Sequence, residues 1–284
     1  MAFDPKPTKY PFPVFTDKHY LVVKKNRGLV FDENYPYIDN SKSFKFKSFW
    51  VRLLLTIIVF PFCRPKMGLR IEGRKILKQN KALLEKGTIS VSNHIHLWDY
   101  IAVMKAIRPR KPYVLVWAPN INGESGPLVR LVGGIPIPEK DIKASLTYTK
   151  TLQDMLQSGG WLHLYPEGSM WEYYQPIRPF KRGAAHMAIQ NDKPIIPMAF
   201  SYRKPSWFRK HILHQDAAIT LRIGQPLFAD TSLDVLEQEA DLTKRCHDAV
   251  CSLAGINPND NLYPPLFDKS QRIDYYTNTY GIKK

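Results

Sequence analysis

The segment TISVSNHIHLWD, residues 88–99, contains the transition that decides the fold. Its first four residues are a short apolar-rich run typical of a buried strand, and a helical pattern begins at Trp98. Where a strand runs into a helix, backbone N–H groups are free and side chains project into a crevice. His94 and Asp99 lie five residues apart in this junction. A bend in the chain would bring them together.

Such a pair could perform acid–base chemistry. His94 would take a proton from an attacking hydroxyl, while Asp99 fixes the imidazole tautomer and stabilises the imidazolium. Two other interpretations stay open at this point. Asp99 could be only a carboxylate in the first turn of a helix. His94 and His96 could also form a metal pair, although the sequence offers no CxxC or HExxH partner for it.

Short apolar runs alternate with helical patterns on both sides of this segment, and this alternation indicates an α/β fold. Strands are predicted at residues 69–71, 88–91, 113–117, 161–165, 195–200 and 218–223. Helices are predicted at residues 98–107, 141–157, 182–190 and 232–253, the second of them beginning at Asp141 and ending before Gly159.

A second functional segment, LYPEGS at residues 164–169, follows another predicted strand. Pro166 removes a backbone donor and Gly168 permits a positive φ, so Glu167 is predicted on a tight turn at the strand's carboxyl end. There its carboxylate could accept hydrogen bonds from a glycerol hydroxyl. Ser169, with adjacent N–H groups, could contact a phosphate. A plain turn with a solvated glutamate is the alternative.

Composition limits the partners. The chain of 284 residues has 41 Lys and Arg against 25 Asp and Glu, a formal net charge of +16. This excess predicts an anionic partner: nucleic acid, phospholipid or an acidic carrier protein. Three irregularly spaced cysteines give neither a disulfide framework nor a zinc pattern, which favours a reducing compartment. The N-terminus lacks the pattern of a secretory signal, so we expect the catalytic part to be cytosolic.

The N-terminal part of the chain differs in character from the remainder. Residues 1–67 are predicted to form an irregular basic arm followed by a membrane-associating segment, and residues 68–284 to form the main domain. The apolar run 49–63 contains Arg52 and is shorter than the ~20 residues needed to span a bilayer. Flanking cations predict a helix at the level of the lipid headgroups. A buried core helix is the alternative.

Four blocks in order resemble the motifs of the PlsC-like glycerolipid acyltransferases, the 1-acylglycerol-3-phosphate acyltransferase type. They are Asn93-His94-x4-Asp99, Gly133-Gly134-Ile135-Pro136-Ile137, Tyr165-Pro166-Glu167-Gly168-Ser169 and Pro194-Ile195-Ile196-Pro197, and Phe180-Lys181-Arg182-Gly183-Ala184 also matches the family's basic residues before a glycine. The resemblance covers roughly residues 68–225 and implies a central mixed sheet flanked by helices.

The resemblance also implies a reaction: transfer of a fatty acyl group from acyl-CoA or acyl-acyl-carrier protein to the hydroxyl of 1-acylglycerol 3-phosphate, giving phosphatidate. His94 would be the general base and Asp99 its orienting partner, with no covalent intermediate, cofactor or metal. Substrate contacts are expected from Asn93, Lys140, Glu167, Gly168, Ser169, Lys181 and Arg182. We expect a peripheral or monotopic protein on the cytoplasmic face of an anionic membrane.

The chain departs from the family pattern in two places. The second block commonly ends in an arginine that contacts the acceptor phosphate, where this chain has Pro138-Glu139-Lys140; the third commonly has an arginine where Met170-Trp171 stand. Lys140, Arg178, Lys181 and Arg182 could supply the missing charge, although lysine lacks the bidentate geometry of arginine. Another lysolipid or glycerol 3-phosphate therefore stays open as acceptor.

Two further classes of function compete. The positive charge and the aromatic content of 12% would suit a nucleic-acid-binding protein. However, the sequence has no RNP-like motif, zinc spacing or Lys/Arg-rich run, and we expect no nucleic acid as partner. A lipid-binding homologue without catalytic activity is the other alternative, because a shared fold does not guarantee activity.

Overall fold

A seven-stranded mixed sheet organises the protein, described in a computed structural model that covers residues 3, 5, 23, 26–139, 141–174 and 176–257. The strands are β1 (Arg70–Glu72), β2 (Thr88–Val91), β3 (Pro112–Trp117), β4 (Gly134–Ile137), β5 (Trp161–Leu164), β6 (Ile195–Arg203) and β7 (Ala218–Ile223). Their order is β1-β7-β6-β2-β5-β3-β4. Every neighbouring pair is parallel except β6 and β7.

Helices cover the sheet. They are α1 (Lys42–Leu54), α2 (Phe60–Met67), α3 (Arg74–Gln79), α4 (Lys81–Leu84), α5 (Asp99–Ala106), α6 (Ala118–Asn122), α7 (Gly126–Leu131), α8 (Ile142–Gln157), α9 (Gly183–Asn191), α10 (Trp207–His211) and α11 (Val235–Ala254). Asp141 caps α8 as predicted, its carboxylate accepting from the N–H groups of Lys143 and Ala144. The α/β prediction and the mixed sheet are confirmed.

The core has two halves, one on each side of the sheet, and β6 shows why. Ile196, Met198 and Phe200 pack in one half, while Ile195 and Ala199 pack in the other. Successive side chains of a strand point to opposite faces, so a strand covered on both faces is apolar throughout. The first half holds α2 and α5, and the second holds α8, α9 and α11.

The largest difference from the sequence prediction concerns the apolar N-terminal segment. A helix runs continuously over Lys42–Met67, joining α1 and α2 through a π-helical turn at Leu55–Val59. Its length matches the thickness of a bilayer core, which takes ~20 helical residues to cross. By length and composition alone it could cross a membrane, and only 11% of its most apolar window is buried. The expectation of a segment too short to span was therefore wrong.

This apolar helix, Lys42–Met67, is fastened to the sheet on one side. Ser48 donates to the carbonyl of Leu131 at 2.6 Å, and the Arg52 guanidinium donates to the carbonyls of Val132 at 2.7 Å and Pro112 at 3.1 Å. Gly133, with φ 105°, leaves room for this arginine, because a Cβ there would lie 2.6 Å from the Arg52 guanidinium. The opposite side carries a row of exposed apolar side chains: Phe46, Phe49, Trp50, Leu54, Ile57, Ile58 and Phe62.

Candidate active site

The predicted functional segments meet at the carboxyl ends of adjacent strands. β2 and β5 are parallel neighbours in register, Val91 opposite Leu164. The chain continues the pairing one step further, since the N–H of Ser92 donates to the carbonyl of Leu164 at 3.2 Å. The loops that follow the two strands therefore emerge side by side. This is the edge at which parallel α/β sheets bind ligands.

His94 and Asp99 lie within hydrogen-bond distance at this edge. The distance from His94 Nδ1 to Asp99 Oδ2 is 3.1 Å, and the same carboxylate oxygen accepts from the N–H groups of Ile95 at 2.8 Å and His96 at 3.0 Å. Asp99 is the first residue of α5 and is 1% exposed, while His94 keeps a quarter of its side chain exposed. The aspartate thus both caps the turn and orients the imidazole.

Burial determines the protonation states of the pair. Burial lowers the pKa of His94 to about 3, although Glu167 acts in the opposite direction, so the imidazole is neutral at physiological pH. Burial raises the pKa of Asp99 to about 7, opposed by the charge of His96 and by hydrogen bonds from the N–H groups of His96 and Ile95. With Nδ1 donating to Asp99, Nε2 of His94 is left as the proton acceptor.

Aromatic stacking against one face of the ring also holds the His94 imidazole in place. The Tyr165 ring lies parallel to the His94 ring, with centroids 3.9 Å apart and 15° between the planes. Behind Tyr165, the buried His163 contacts the hydroxyls of Ser90 at 2.8 Å and Ser92 at 3.3 Å. His163 cannot be recognised from the sequence alone, because a histidine within an apolar strand gives no signal of what lies beside it.

Glu167 was predicted to accept hydrogen bonds from a substrate, but its carboxylate is occupied by contacts within the protein. Its Oε2 accepts from the Arg178 guanidinium at 2.7 Å and from the N–H of His94 at 3.3 Å, and its Oε1 accepts from the N–H of Arg178 at 3.1 Å. Both side chains of this ion pair are fully buried. The pair instead stabilises the turn that carries His94. Arg178 is therefore committed to Glu167 and does not replace a phosphate-binding arginine.

The loop after β5 reinforces this arrangement. The Arg178 guanidinium donates to the Ser169 hydroxyl at 2.6 Å and lies over the Trp171 ring, 4.3 Å from its centroid. The N–H of Trp171 in turn donates to the carbonyl of His94 at 3.0 Å. Met170 and Trp171, which stand where an arginine is common, are both buried. Trp171 serves as a packing surface for Arg178.

Three of the remaining predicted substrate contacts lie on the wall of one cavity. Gly168, Ser169 and Lys181 line a cavity of about 1230 Å³ together with His94. Gly168 has φ 83°, and the Lys181 ammonium lies against it, 3.1 Å from where a Cβ would be. Lys140 lies outside the described residues.

Asn93 and Arg182 are placed differently from the prediction. Asn93 is buried, and its amide exchanges hydrogen bonds with the backbone N–H and carbonyl of Phe200, at 2.7 and 2.9 Å. Its amide thus fastens the turn to β6, and Asn93 is not among the residues that line the cavity, so the substrate contact stays a prediction. Arg182 is exposed at the start of α9 and is not among the residues that line the cavity.

The cavity has an apolar and a polar part. Leu55 of the apolar helix, Ile101, Met104 and Val132 contribute apolar wall, whereas Lys181, His186, Gln190 and Asn191 contribute polar groups. Its volume exceeds the roughly 300–1,000 Å³ typical of small-molecule sites. Over the described residues, no group of three His, Cys, Asp or Glu is arranged to hold a metal. His96 Nδ1 accepts from the N–H of Trp98 at 3.0 Å, so this nitrogen is already used.

Comparison with known proteins agrees with this geometry. Residues 68–201 match the family model described as Acyltransferase. The chain is similar to the 1-acyl-sn-glycerol-3-phosphate acyltransferase of Haemophilus influenzae, 27% identical over 191 residues that cover 65% of this chain and 74% of that protein. It is 22% identical to the Cocos nucifera protein of the same name over 197 residues, 64% of this chain and 62% of that one.

Among solved structures, the crystal structure of the acyltransferase PlsC from Thermotoga maritima matches with a TM-score of 0.48 and 13% identity, covering 77% of this chain and 83% of that one. The family model spans β1 to most of β6 and includes the turns that carry His94 and Glu167. Residues 68–201 therefore match an acyltransferase domain model, and the chain is similar to 1-acylglycerol-3-phosphate acyltransferases.

Proposed function

We propose that the protein transfers a fatty acyl group from a thioester donor, acyl-CoA or acyl-acyl-carrier protein, to the free hydroxyl of 1-acylglycerol 3-phosphate. The observation that carries the proposal is the His94–Asp99 pair at 3.1 Å on the wall of a large, partly apolar cavity. The names of the relatives support the choice of acceptor.

The reaction follows from the orientation of His94. Its free Nε2 accepts the proton of the acceptor hydroxyl as the oxygen attacks the thioester carbonyl. Asp99 stabilises the imidazolium that forms. The new C–O ester bond forms as the C–S bond breaks, and the imidazolium returns the proton to the departing thiolate. No enzyme nucleophile is required, and all three cysteines are buried.

The test replaces the base. Purified His94→Ala protein, assayed with radiolabelled acyl-CoA and a panel of lysolipids, should lose at least the ~10²-fold typical of a missing general base. Its thermal melting curve should match that of the unmodified protein. Near-normal turnover by folded His94→Ala would rule out the mechanism. An unmodified protein that binds lysolipid but transfers no acyl group from either donor would be a lipid-binding homologue.

We propose that Lys181 recognises the acceptor phosphate. Its ammonium lies beside Gly168, on the cavity that His94 also lines. The N–H of Lys181 donates to the carbonyl of Pro166 at 2.9 Å, which fixes the residue at the end of the β5 loop. Lys140, on the opposite loop, remains a second proposed contact. Equal Michaelis constants for phosphate-bearing and phosphate-free acceptors would contradict this assignment.

The apolar helix is proposed to associate with an anionic membrane on its cytoplasmic face. Exposed aromatic and aliphatic side chains such as Phe46 and Ile57 would enter the lipid, and Lys42 and Lys66 near its ends would meet the headgroups. Each near-surface cation contributes roughly 1 kcal/mol to binding. Cosedimentation with vesicles should therefore be stronger for anionic than for neutral lipid and should weaken with salt.

A further inference from the structure

A second exposed apolar surface lies far along the chain from the apolar helix. In the segment 207–213, which includes α10, Trp207 is 70% exposed, Phe208 54%, Ile212 52% and Leu213 38%. This is an unusual concentration of large apolar side chains on a protein surface. Contiguous patches of this kind mark sites of interaction with a partner or a membrane.

This segment is joined to the end of the apolar helix. The Arg209 guanidinium donates to the carbonyls of Arg64 at 2.7 Å and Pro65 at 3.0 Å, and the Gln215 amide donates to those of Pro65 at 2.7 Å and Lys66 at 2.9 Å. The last carbonyls of a helix have no partner within the helix. Arg209 and Gln215 supply such partners, and the cation also suits the negative end of the helix dipole.

The charges around the segment favour lipid over a protein partner. Lys204 and Lys210 are exposed close in sequence to the aromatic residues, and Arg64 and Lys66 are exposed on the adjoining helix end. Tryptophan beside cations is the composition found at the boundary between headgroups and acyl chains. The last exposed large apolar side chain on the apolar helix is Phe62, two residues before Arg64, whose carbonyl binds Arg209.

We propose that residues 207–213 form a second membrane contact, which inserts Trp207 and Phe208 into the headgroup region of an anionic bilayer beside the C-terminal end of the apolar helix. The proposal rests on the membrane association of that helix proposed above. The axis of the apolar helix and a second contact outside that axis together define a plane. They would fix how the domain is rotated on the membrane, which a single helix cannot do.

The test uses a fluorophore at one position. Because Cys63, Cys246 and Cys251 are buried, a Phe208→Cys variant can be labelled selectively with an environment-sensitive dye. A Leu236→Cys variant is the matched control, since Leu236 is 70% exposed on α11. This helix packs on the face of the sheet opposite to the C-terminal end of the apolar helix. Both are mixed with phosphatidylglycerol vesicles that carry brominated acyl chains, which quench the dye on contact.

Quenching and a blue shift at position 208 with no change at position 236 is the expected result. Cosedimentation without quenching at 208 would overturn this inference and leave the role of the apolar helix intact. Failure of the protein to cosediment with the vesicles would overturn both this inference and the proposed membrane association of the apolar helix. Equal quenching at the two positions would show unoriented adsorption, and a blue shift at 208 without vesicles that grows with protein concentration would show self-association; either would also refute the proposal.

An affinity measurement gives an independent check. The Trp207→Ser/Phe208→Ser variant should bind anionic vesicles about tenfold more weakly than the unmodified protein, whereas Val235→Ser/Leu236→Ser should bind equally well. Activity on a short-chain acceptor that is monomeric in water should be equal in all three proteins, since this assay needs no membrane. Unchanged vesicle affinity of the first variant would contradict the second contact, and loss of activity on the soluble acceptor would show that the substitution damages the site instead.

Discussion

The Asp99→Asn substitution gives the most direct measure of what the carboxylate contributes. The amide oxygen can still accept from the N–H groups of Ile95 and His96, so the turn should persist, but the negative charge beside the imidazole is lost. At the 3.1 Å that separates His94 Nδ1 from Asp99 Oδ2, an effective dielectric of about 20 gives an attraction of ~5 kcal/mol toward the imidazolium. The loss corresponds to a ~10³- to 10⁴-fold lower kcat.

The assay follows product formation from radiolabelled acyl-CoA and 1-acylglycerol 3-phosphate in detergent micelles at a pH near 8. Asp154→Asn is the control, because Asp154 is an exposed aspartate on α8 that pairs with Lys150 across one helical turn. It should retain full activity. If Asp99→Asn kept more than a tenth of the activity with an unchanged melting temperature, Asp99 would have no electrostatic role in the reaction.

Three further results are expected. The kcat/KM of the unmodified protein should fall as the pH decreases through about 7, because protonation removes the charge of Asp99, and residual activity of Asp99→Asn should lack this limb. Arg178→Met should lower the free energy of unfolding by ~3–5 kcal/mol, seen as a melting temperature lower by roughly 10 °C, because Glu167 is left buried without its partner; adding Glu167→Gln should recover part of the loss. Lys181→Met should raise the Michaelis constant for a phosphate-bearing acceptor more than that for the acyl donor, while Arg182→Met should change neither; equal constants in both variants would place the phosphate elsewhere.

The local pattern of apolar residues in the sequence predicted most of the sheet. Six of the seven strands were predicted, because short apolar runs separated by helical patterns leave few alternatives. The missed strand, β4 (Gly134–Ile137), has four residues, one of them Pro136, and lies at the sheet edge. A proline is tolerated in an edge strand, but its presence in the sequence argues against predicting a strand. The encounter of His94 with Asp99 was also predictable, since it needs only one local turn.

Contacts between distant segments were not predictable in the same way. Glu167 pairs with an arginine 11 residues later, across a loop without periodicity, so the sequence favoured a carboxylate free for substrate. Asn93 binds a strand 107 residues away. The length of the apolar helix was underestimated for a third reason. Only the apolar run 49–63 was counted, whereas the helix also includes the basic stretches on both sides of that run and extends over Lys42–Met67.

The position of Arg52 has a mechanical consequence. Its guanidinium, the one cation between Lys47 and Arg64, is held by two carbonyls at the β3–β4 edge of the sheet. To separate from the domain within lipid, the helix would have to carry that charge into hydrocarbon, at a cost of ~2.5–3.5 kcal/mol. If the helix associates with a membrane as proposed, it would act as a rigid strut and not as a flexible tether. Because Leu55 on the same helix lines the cavity, the proposed membrane association would then fix how far the mouth of the site stands above the bilayer.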